Sequence, residues 1–254
     1  MAKSVQKEVR EGQSKRRGGG WVNLKPFFTY YGGKYRLAPR YPRPVFDSII
    51  EPFAGSAGYS LRYPHKQVLL CDKSETIVGL WQYLISVAED EILSLPLEIT
   101  DLRVMGIPQE QRWLIGFWVN KGGIAPKNVP SSWMRSGVRP KSYWGAEIRH
   151  RIASQLKYIR HWKSVLGDYD SLENSSSTWF IDPPYHASGK HYEHSSIDYE
   201  KLASWCLGRR GQVIVCEQEP ADWLPFDKFY DAKGLEGMRG KKVSKEVVWV
   251  NKAI

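Results

Sequence analysis

Four short apolar runs recur along the chain with helical patterns between them: "VFDSIIEPF", "KQVLLCD", "TWFIDPP" and "GQVIVCEQ". Each reads as a buried strand, and strands separated by helices pair in parallel, because a crossover helix returns the chain to the end of the sheet where the previous strand began. The clearest helical pattern is "SETIVGLWQYLISVAEDEIL", with apolar residues at 77, 80, 81, 84 and 85 and Ser74 as its N-cap. Another helix is expected near "SSIDYEKLASWCLGR". At the end, "DKFYDAK" and "SKEVVWVNK" alternate and are joined by a Gly- and Lys-rich turn, the pattern of a hairpin. The expected fold is therefore α/β, a Rossmann-like parallel sheet with a C-terminal antiparallel pair.

The middle of the chain breaks this rhythm. Residues 121–145, "KGGIAPKNVPSSWMRSGVRPKSYWG", are rich in Gly, Pro and Ser and carry Trp and Tyr, which predicts a loop-rich insertion. A long amphipathic helix over 146–164, apolar at 148, 152, 156, 159 and 162, should return the chain to the sheet. The expected organisation is a disordered basic tail over 1–20, a domain built from 21–88 and 165–254, and an insertion over 89–164.

Charge narrows the partners. Net charge is 37 − 27 = +10, and the 254 residues include 11 Trp and 14 Tyr. Residues 121–163 hold ten Lys or Arg and one acid, Glu147, so the charge is concentrated rather than spread. A basic, aromatic-rich surface suits a polyanion whose bases can stack, which points to nucleic acid. No apolar run approaches the roughly 20 residues of a membrane span. The N-terminus lacks the apolar core of a secretory signal. Cys71, Cys206 and Cys216 are too scattered for a disulfide framework or a zinc site. A cytoplasmic setting, in a bacterial cell or a phage-infected host, is expected, with no metal and no membrane partner.

Two motifs carry chemistry. Glu51-Pro52-Phe53-Ala54-Gly55-Ser56-Ala57-Gly58 follows the first strand, and its small residues let backbone N–H groups approach a ligand. The next strand ends in Asp72, 21 residues after Glu51, the placement of an acid that binds ribose hydroxyls. The second motif is Asp182-Pro183-Pro184-Tyr185 at the end of the third run. Neither proline has an N–H, so the corner presents acceptors only, from Asp182 and nearby carbonyls. Tyr185 can stack on a flat ring. Such a corner fits a planar base bearing an –NH₂ group, whose lone pair hydrogen bonding to Asp182 would localise. A base inside a duplex would have to be flipped out to reach it.

On these residues the chain resembles the Dam-like (D12 class, alpha-group) N6-adenine DNA methyltransferases, over about residues 26 to 251. Asp182-Pro183-Pro184-Tyr185 matches that family's catalytic motif intact. The resemblance implies a class I S-adenosylmethionine-dependent methyltransferase sheet with a basic target-recognition insertion, S-adenosylmethionine as cofactor, and double-stranded DNA as partner. Tyr30-Tyr31-Gly32-Gly33-Lys34 is similar to the family's Trp-Ala-Gly-Gly-Lys, implying that Tyr30 and Lys34 contact the cofactor, Lys34 at its carboxylate. Glu51, Phe53, Ala54, Gly55 and Ser56 fall in the cofactor glycine motif, where Ala57 stands at a position commonly glycine. Asp72 would hold the ribose, and Asp168 with Tyr169 the cofactor adenine. "KKVSKEVVWVN" is similar to the family's closing hairpin. Cytosine N4, or adenine in RNA, presents the same donors, and a non-catalytic nucleic-acid-binding module could retain the fold. The protein is expected to be a monomer or weak dimer.

Within the insertion, Lys121, Lys127, Asn128, Arg135, Arg139, Lys141 and Tyr143 are candidates for DNA contact. Trp133, Tyr143 and Trp144 either stack on bases or form the insertion's own core. Arg149, Arg151 and Arg160 are open between phosphate contact and structure. His186, His191 and His194 fit no standard ligand spacing and are expected on a loop that closes over a flipped base.

Overall fold

The computed structural model describes residues 22–138, 140–186, 196–233 and 243–251. The 1–20 tail, Arg139, His191, His194 and the turn of the C-terminal hairpin lie outside the described residues. Among the described residues seven strands form one sheet: β1 (Ser48–Glu51), β2 (Gln67–Asp72), β3 (Lys163–Leu166), β4 (Ser177–Ile181), β5 (Gly211–Gln218), β6 (Asp227–Lys233) and β7 (Val243–Val250). Their order is β3-β2-β1-β4-β5-β7-β6. The first five are parallel, and β7 runs antiparallel between β5 and β6. The α/β reading and its antiparallel C-terminal pair are the observed architecture.

All five residues of β4 are buried, as befits a central strand covered on both faces. Its Trp179 meets this by donating Nε1–H to the carbonyls of Ser175 and Arg210. One apolar cluster gathers Phe27, Phe28, Leu80, Trp81 and Phe180; a second gathers Ile50, Trp179, Ile181, Leu202 and Val215.

Two expected helices are shorter than their apolar spacing suggested. The pattern over 74–93 splits into α1 (Glu75–Ser86) and α2 (Glu89–Ser94), with Val87 and Ala88 extended between them. Glu89, Asp90 and Glu91 start the second helix, where acids favour an N-terminus. Arg160 reaches across to donate to the carbonyls of Ile85 and Val87 at the break. Ser74 flanks α1 without a side-chain cap; its backbone N–H instead donates to Asp72.

The helix expected over 146–164 is likewise corrected. It ends at Gln155, a 3-10 turn covers Leu156–Tyr158, and Lys163–Leu166 is the edge strand β3. Apolar spacing ran on through 159 and 162 because a 3-10 turn also repeats every three residues. Ile159 and Trp162 are buried, but the chain has already turned to pair with β2.

The segment 89–164 also holds α3 (Gln109–Val119), α4 (Ser132–Arg135) and α5 (Ala146–Gln155). Leu114, Ile115 and Phe117 of α3 and Ile148 and Ile152 of α5 join the cluster around Trp81. The insertion is thus rooted in the sheet's own core, with the basic loop between its helices. The last helix, α6 (Tyr199–Leu207), is capped by Asp198, whose carboxylate accepts from the Lys201 N–H.

Candidate functional site

The strand order reverses beside β1, which has β2 on one side and β4 on the other. At such a switch point the connections leave in opposite directions and open a crevice at the strands' carboxyl ends. Glu51, Asp72 and Asp182 stand at or just beyond the ends of β1, β2 and β4. A cavity of about 250 Å³ opens there, several times the ~30 Å³ per molecule of liquid water, so it admits an organic ligand.

Two glycine-bearing loops build the floor. A Cβ on Gly58 would lie 2.5 Å from the Tyr35 nitrogen and 2.9 Å from Lys34 backbone atoms. A Cβ on Gly33 would lie 2.8 Å from Ser56 Oγ. The loops therefore interlock backbone to backbone, and that contact brings Lys34 beside Asp182. Gly55 (φ 43°) and Ala57 (φ 51°) both adopt the left-handed conformation that favours glycine. Ala57 does so with a buried methyl.

Asp72 is aimed by backbone donors: Oδ2 accepts from the Gly55 N–H and Oδ1 from the Ser74 N–H, each at 3.0 Å. Gly55 is held from its other side by Trp81, whose Nε1–H donates to its carbonyl at 2.8 Å. Tyr30 lies against Gly55 and meets the edge of Phe117 of α3. Phe53 and Tyr169 face each other at 5.6 Å. Asp168 caps the turn that carries Tyr169 and pairs with Lys73 at 2.7 Å.

The charged end of the cleft is compact. Lys34 Nζ stands 2.8 Å from Asp182 Oδ1, the two side chains 7% and 19% exposed. The contact is a close, largely buried ion pair. The ammonium donates to the Gly32 carbonyl, at 3.0 Å. It also lies 4.6 Å over the centre of the Tyr185 ring. Burial raises the Asp182 carboxyl to about 6, against the downward pull of Lys34. For Lys34, burial pulls down but the Asp182 carboxylate, with smaller help from Cys216 and Glu246, outweighs it, and the net shift is upward. Glu51 is pushed by burial to about 8 although its Oε1 accepts from the Ser60 N–H at 2.8 Å.

The proline corner is braced from behind. Tyr199 donates its hydroxyl to the Pro184 carbonyl at 2.5 Å. Buried Glu217 of β5 accepts from the His186 N–H and the Trp223 indole, both at 3.1 Å. Tyr185 donates its hydroxyl to Glu246 of β7 at 2.5 Å.

Every expected cofactor residue lines the one cleft: Tyr30, Lys34, Glu51, Phe53, Ala54, Gly55, Ser56, Asp72, Asp168, Tyr169 and Asp182. Pro184 joins them, whereas Pro183 and Tyr185 are not part of the lining. Sequence reading missed Lys73, Ile124, Phe180, Asp198 and Lys201. Asp198 was legible as a helix cap; Ile124 arrives from the insertion because the Tyr31 N–H donates to the Gly123 carbonyl at 3.1 Å.

The insertion residues divide. Lys127 and Asn128 are exposed, and Lys121 lies over the rings of Trp118 and Tyr143. Lys141 pairs with Glu147 at 3.1 Å, both largely exposed. Arg135 folds onto the Pro130 carbonyl. Trp133 is 65% exposed, whereas Trp144 is buried and donates to the Pro96 carbonyl. Arg149, Arg151 and Arg160 bind the carbonyls of Leu95, Pro26, Ile85 and Val87, a structural use. Among the described residues no group of His, Cys, Asp and Glu is arranged for a metal, and no helix is long and apolar enough to cross a membrane.

No protein-family model matches the sequence, and no curated protein matches it. Among solved structures it is similar to a conserved hypothetical protein from Streptococcus pyogenes, with 11% identity and a TM-score of 0.36 over 86% of this chain and 92% of that one.

Proposed function

We propose that this protein is an S-adenosylmethionine-dependent methyltransferase acting on the N6 amine of an adenine flipped out of DNA. The observation that carries the reading is that the Gly55 turn, the Asp72 carboxylate and the Asp182 corner open on one cleft at the sheet's switch point.

The cleft fits the cofactor. It has the room, an acid fixed by two backbone N–H groups for ribose hydroxyls, and aromatic side chains of Phe53 and Tyr169 beside Asp168 for a purine. Lys34 is the cation for a carboxylate. When bound, S-adenosylmethionine would supply an electrophilic methyl group and leave as the thioether S-adenosylhomocysteine with the C–S bond pair; the methylated nitrogen sheds one proton, to Asp182 or to water.

The chain's own residues prepare the acceptor. Asp182 Oδ1 is buried with the Lys34 ammonium 2.8 Å away, and an exocyclic N–H is a donor that can take that place. Holding that proton at the carboxylate draws the nitrogen lone pair out of the ring and toward attack. The amine displaces Lys34 from the carboxylate, which frees the ammonium for its carboxylate ligand. Exposed Lys127 and Lys141 meet phosphates. A cytosine N4 or an RNA adenine would use the same donors.

A second reading, a non-catalytic nucleic-acid-binding module, is favoured by one observation. Lys34 on Asp182 and Tyr185 on Glu246 already fill the corner. Calorimetric titration with S-adenosylmethionine, on wild type and Asp72→Ala, followed by labelled-methyl transfer to DNA and to RNA, separates the two. Binding that Asp72→Ala weakens, with label in DNA, supports the enzyme. Nucleic-acid binding with no cofactor binding rejects it.

A further inference from the structure

Glu246 lies on β7, paired to Gln218 of β5 on one side and Tyr230 of β6 on the other, so its backbone is fixed from both edges. It is 7% exposed, and its Oε2 accepts the Tyr185 hydroxyl at 2.5 Å. A buried carboxylate and a buried phenol each need a partner, and this bond serves both. The same ring carries Lys34 over its face at 4.6 Å, and that ammonium is 2.8 Å from Asp182. An N–H donor thus already stands between the catalytic-motif carboxylate and the ring face.

We propose that Glu246 is a positioning residue, which holds the Tyr185 ring by its hydroxyl so that a base entering the Asp182 corner meets a preset stacking face. The inference rests on the base-binding reading above. Stacking by itself requires no hydroxyl, and phenylalanine offers the same face. The hydroxyl matters here because it ties a ring on the Asp-Pro-Pro-Tyr corner to a strand on the far side of β5. A site holds its ligand well only when such side chains are locked to within roughly 0.5 Å and 10–20°.

The test compares wild type with Tyr185→Phe, Glu246→Gln, Glu246→Leu and the double variant Tyr185→Phe/Glu246→Leu. The probe is mixed-sequence single-stranded DNA with 8-vinyladenine in place of adenine, which keeps the 6-amine and whose fluorescence is quenched when the base stacks; S-adenosylmethionine affinity is measured alongside. Tyr185→Phe and Glu246→Leu should each weaken the quenched complex by roughly tenfold, the scale of one hydrogen bond to a charged group. Glu246→Gln, which keeps an acceptor oxygen, should stay close to wild type. The double variant should be no worse than either single one, and cofactor affinity should not move. Losses that multiply in the double variant, or a Tyr185→Phe protein that quenches like wild type, overturn the proposal. Tyr185→Phe decides alone if Glu246→Leu does not fold. Wild type that binds cofactor but never quenches rejects the base-binding reading itself, and the positioning role with it.

Discussion

The ammonium of Lys34 stands 2.8 Å from Asp182 Oδ1, joining a loop before β1 to the end of β4 at the charged end of the cleft. Both groups are largely buried, so each depends on the other for charge. Removing one partner of such a pair strands the other. Asp182→Ala is expected to lose roughly 3 kcal/mol of stability by urea denaturation. Lys34→Ala should leave Asp182 more readily protonated. Asp182→Ala as stable as wild type would show that the pair is solvated.

The pair is set by the interlocked loops. Gly58→Ala puts a methyl 2.5 Å from a backbone nitrogen, which cannot rotate away, whereas Gly33→Ala meets a serine hydroxyl that can. Gly58→Ala should therefore cost about 1–3 kcal/mol and cofactor affinity, and Gly33→Ala less. Thermal melts and calorimetry on the two variants check the order, and equal effects would contradict it.

Two carboxyls tie stability to pH. Asp182 and Glu51 have folded values near 6 and 8, above their ordinary 3.8 and 4.5. Between those limits the folded protein holds more protons than the unfolded chain, so stability falls as pH rises from about 4 to 8. Glu51→Gln keeps an acceptor for the Ser60 N–H and removes the larger shift. Its urea midpoint should exceed wild type at pH 8.5 and converge with it near pH 5. A constant difference across that range would refute the assignment.

Arginine and lysine in the insertion should separate by assay. Arg160 holds the break between α1 and α2, so Arg160→Ala should cost about 1–3 kcal/mol of stability. Lys127→Ala should leave stability alone and, under the proposed function, lower the salt slope of DNA binding by about one. Filter binding over a salt series, beside thermal melts, measures both.

The strands and the acids at their ends were legible because a buried parallel strand writes itself as an unbroken apolar run with its polar residue at the tip. β3 was not: its four residues, "KSVL", are mostly exposed on the sheet edge and carry no such run. Helix α3 escaped because seven of its eleven residues are buried, which erases the polar face that periodicity detects. At the site, Asp72, Asp182 and the glycine turn could be read locally. The partners of Tyr185 and Asp168, Glu246 61 residues away and Lys73 at the end of the neighbouring strand β2, are products of strand order and leave no local trace.

The most direct measurement incubates the protein with S-adenosylmethionine and mixed-sequence DNA, beside Asp182→Ala, and identifies nucleosides by mass spectrometry after digestion. The account predicts N6-methyladenine from wild type, reduced at least roughly a hundredfold in the variant. N4-methylcytosine would keep the corner's chemistry and change its substrate. No methylated nucleoside from DNA or RNA, despite measurable cofactor binding, would contradict the account.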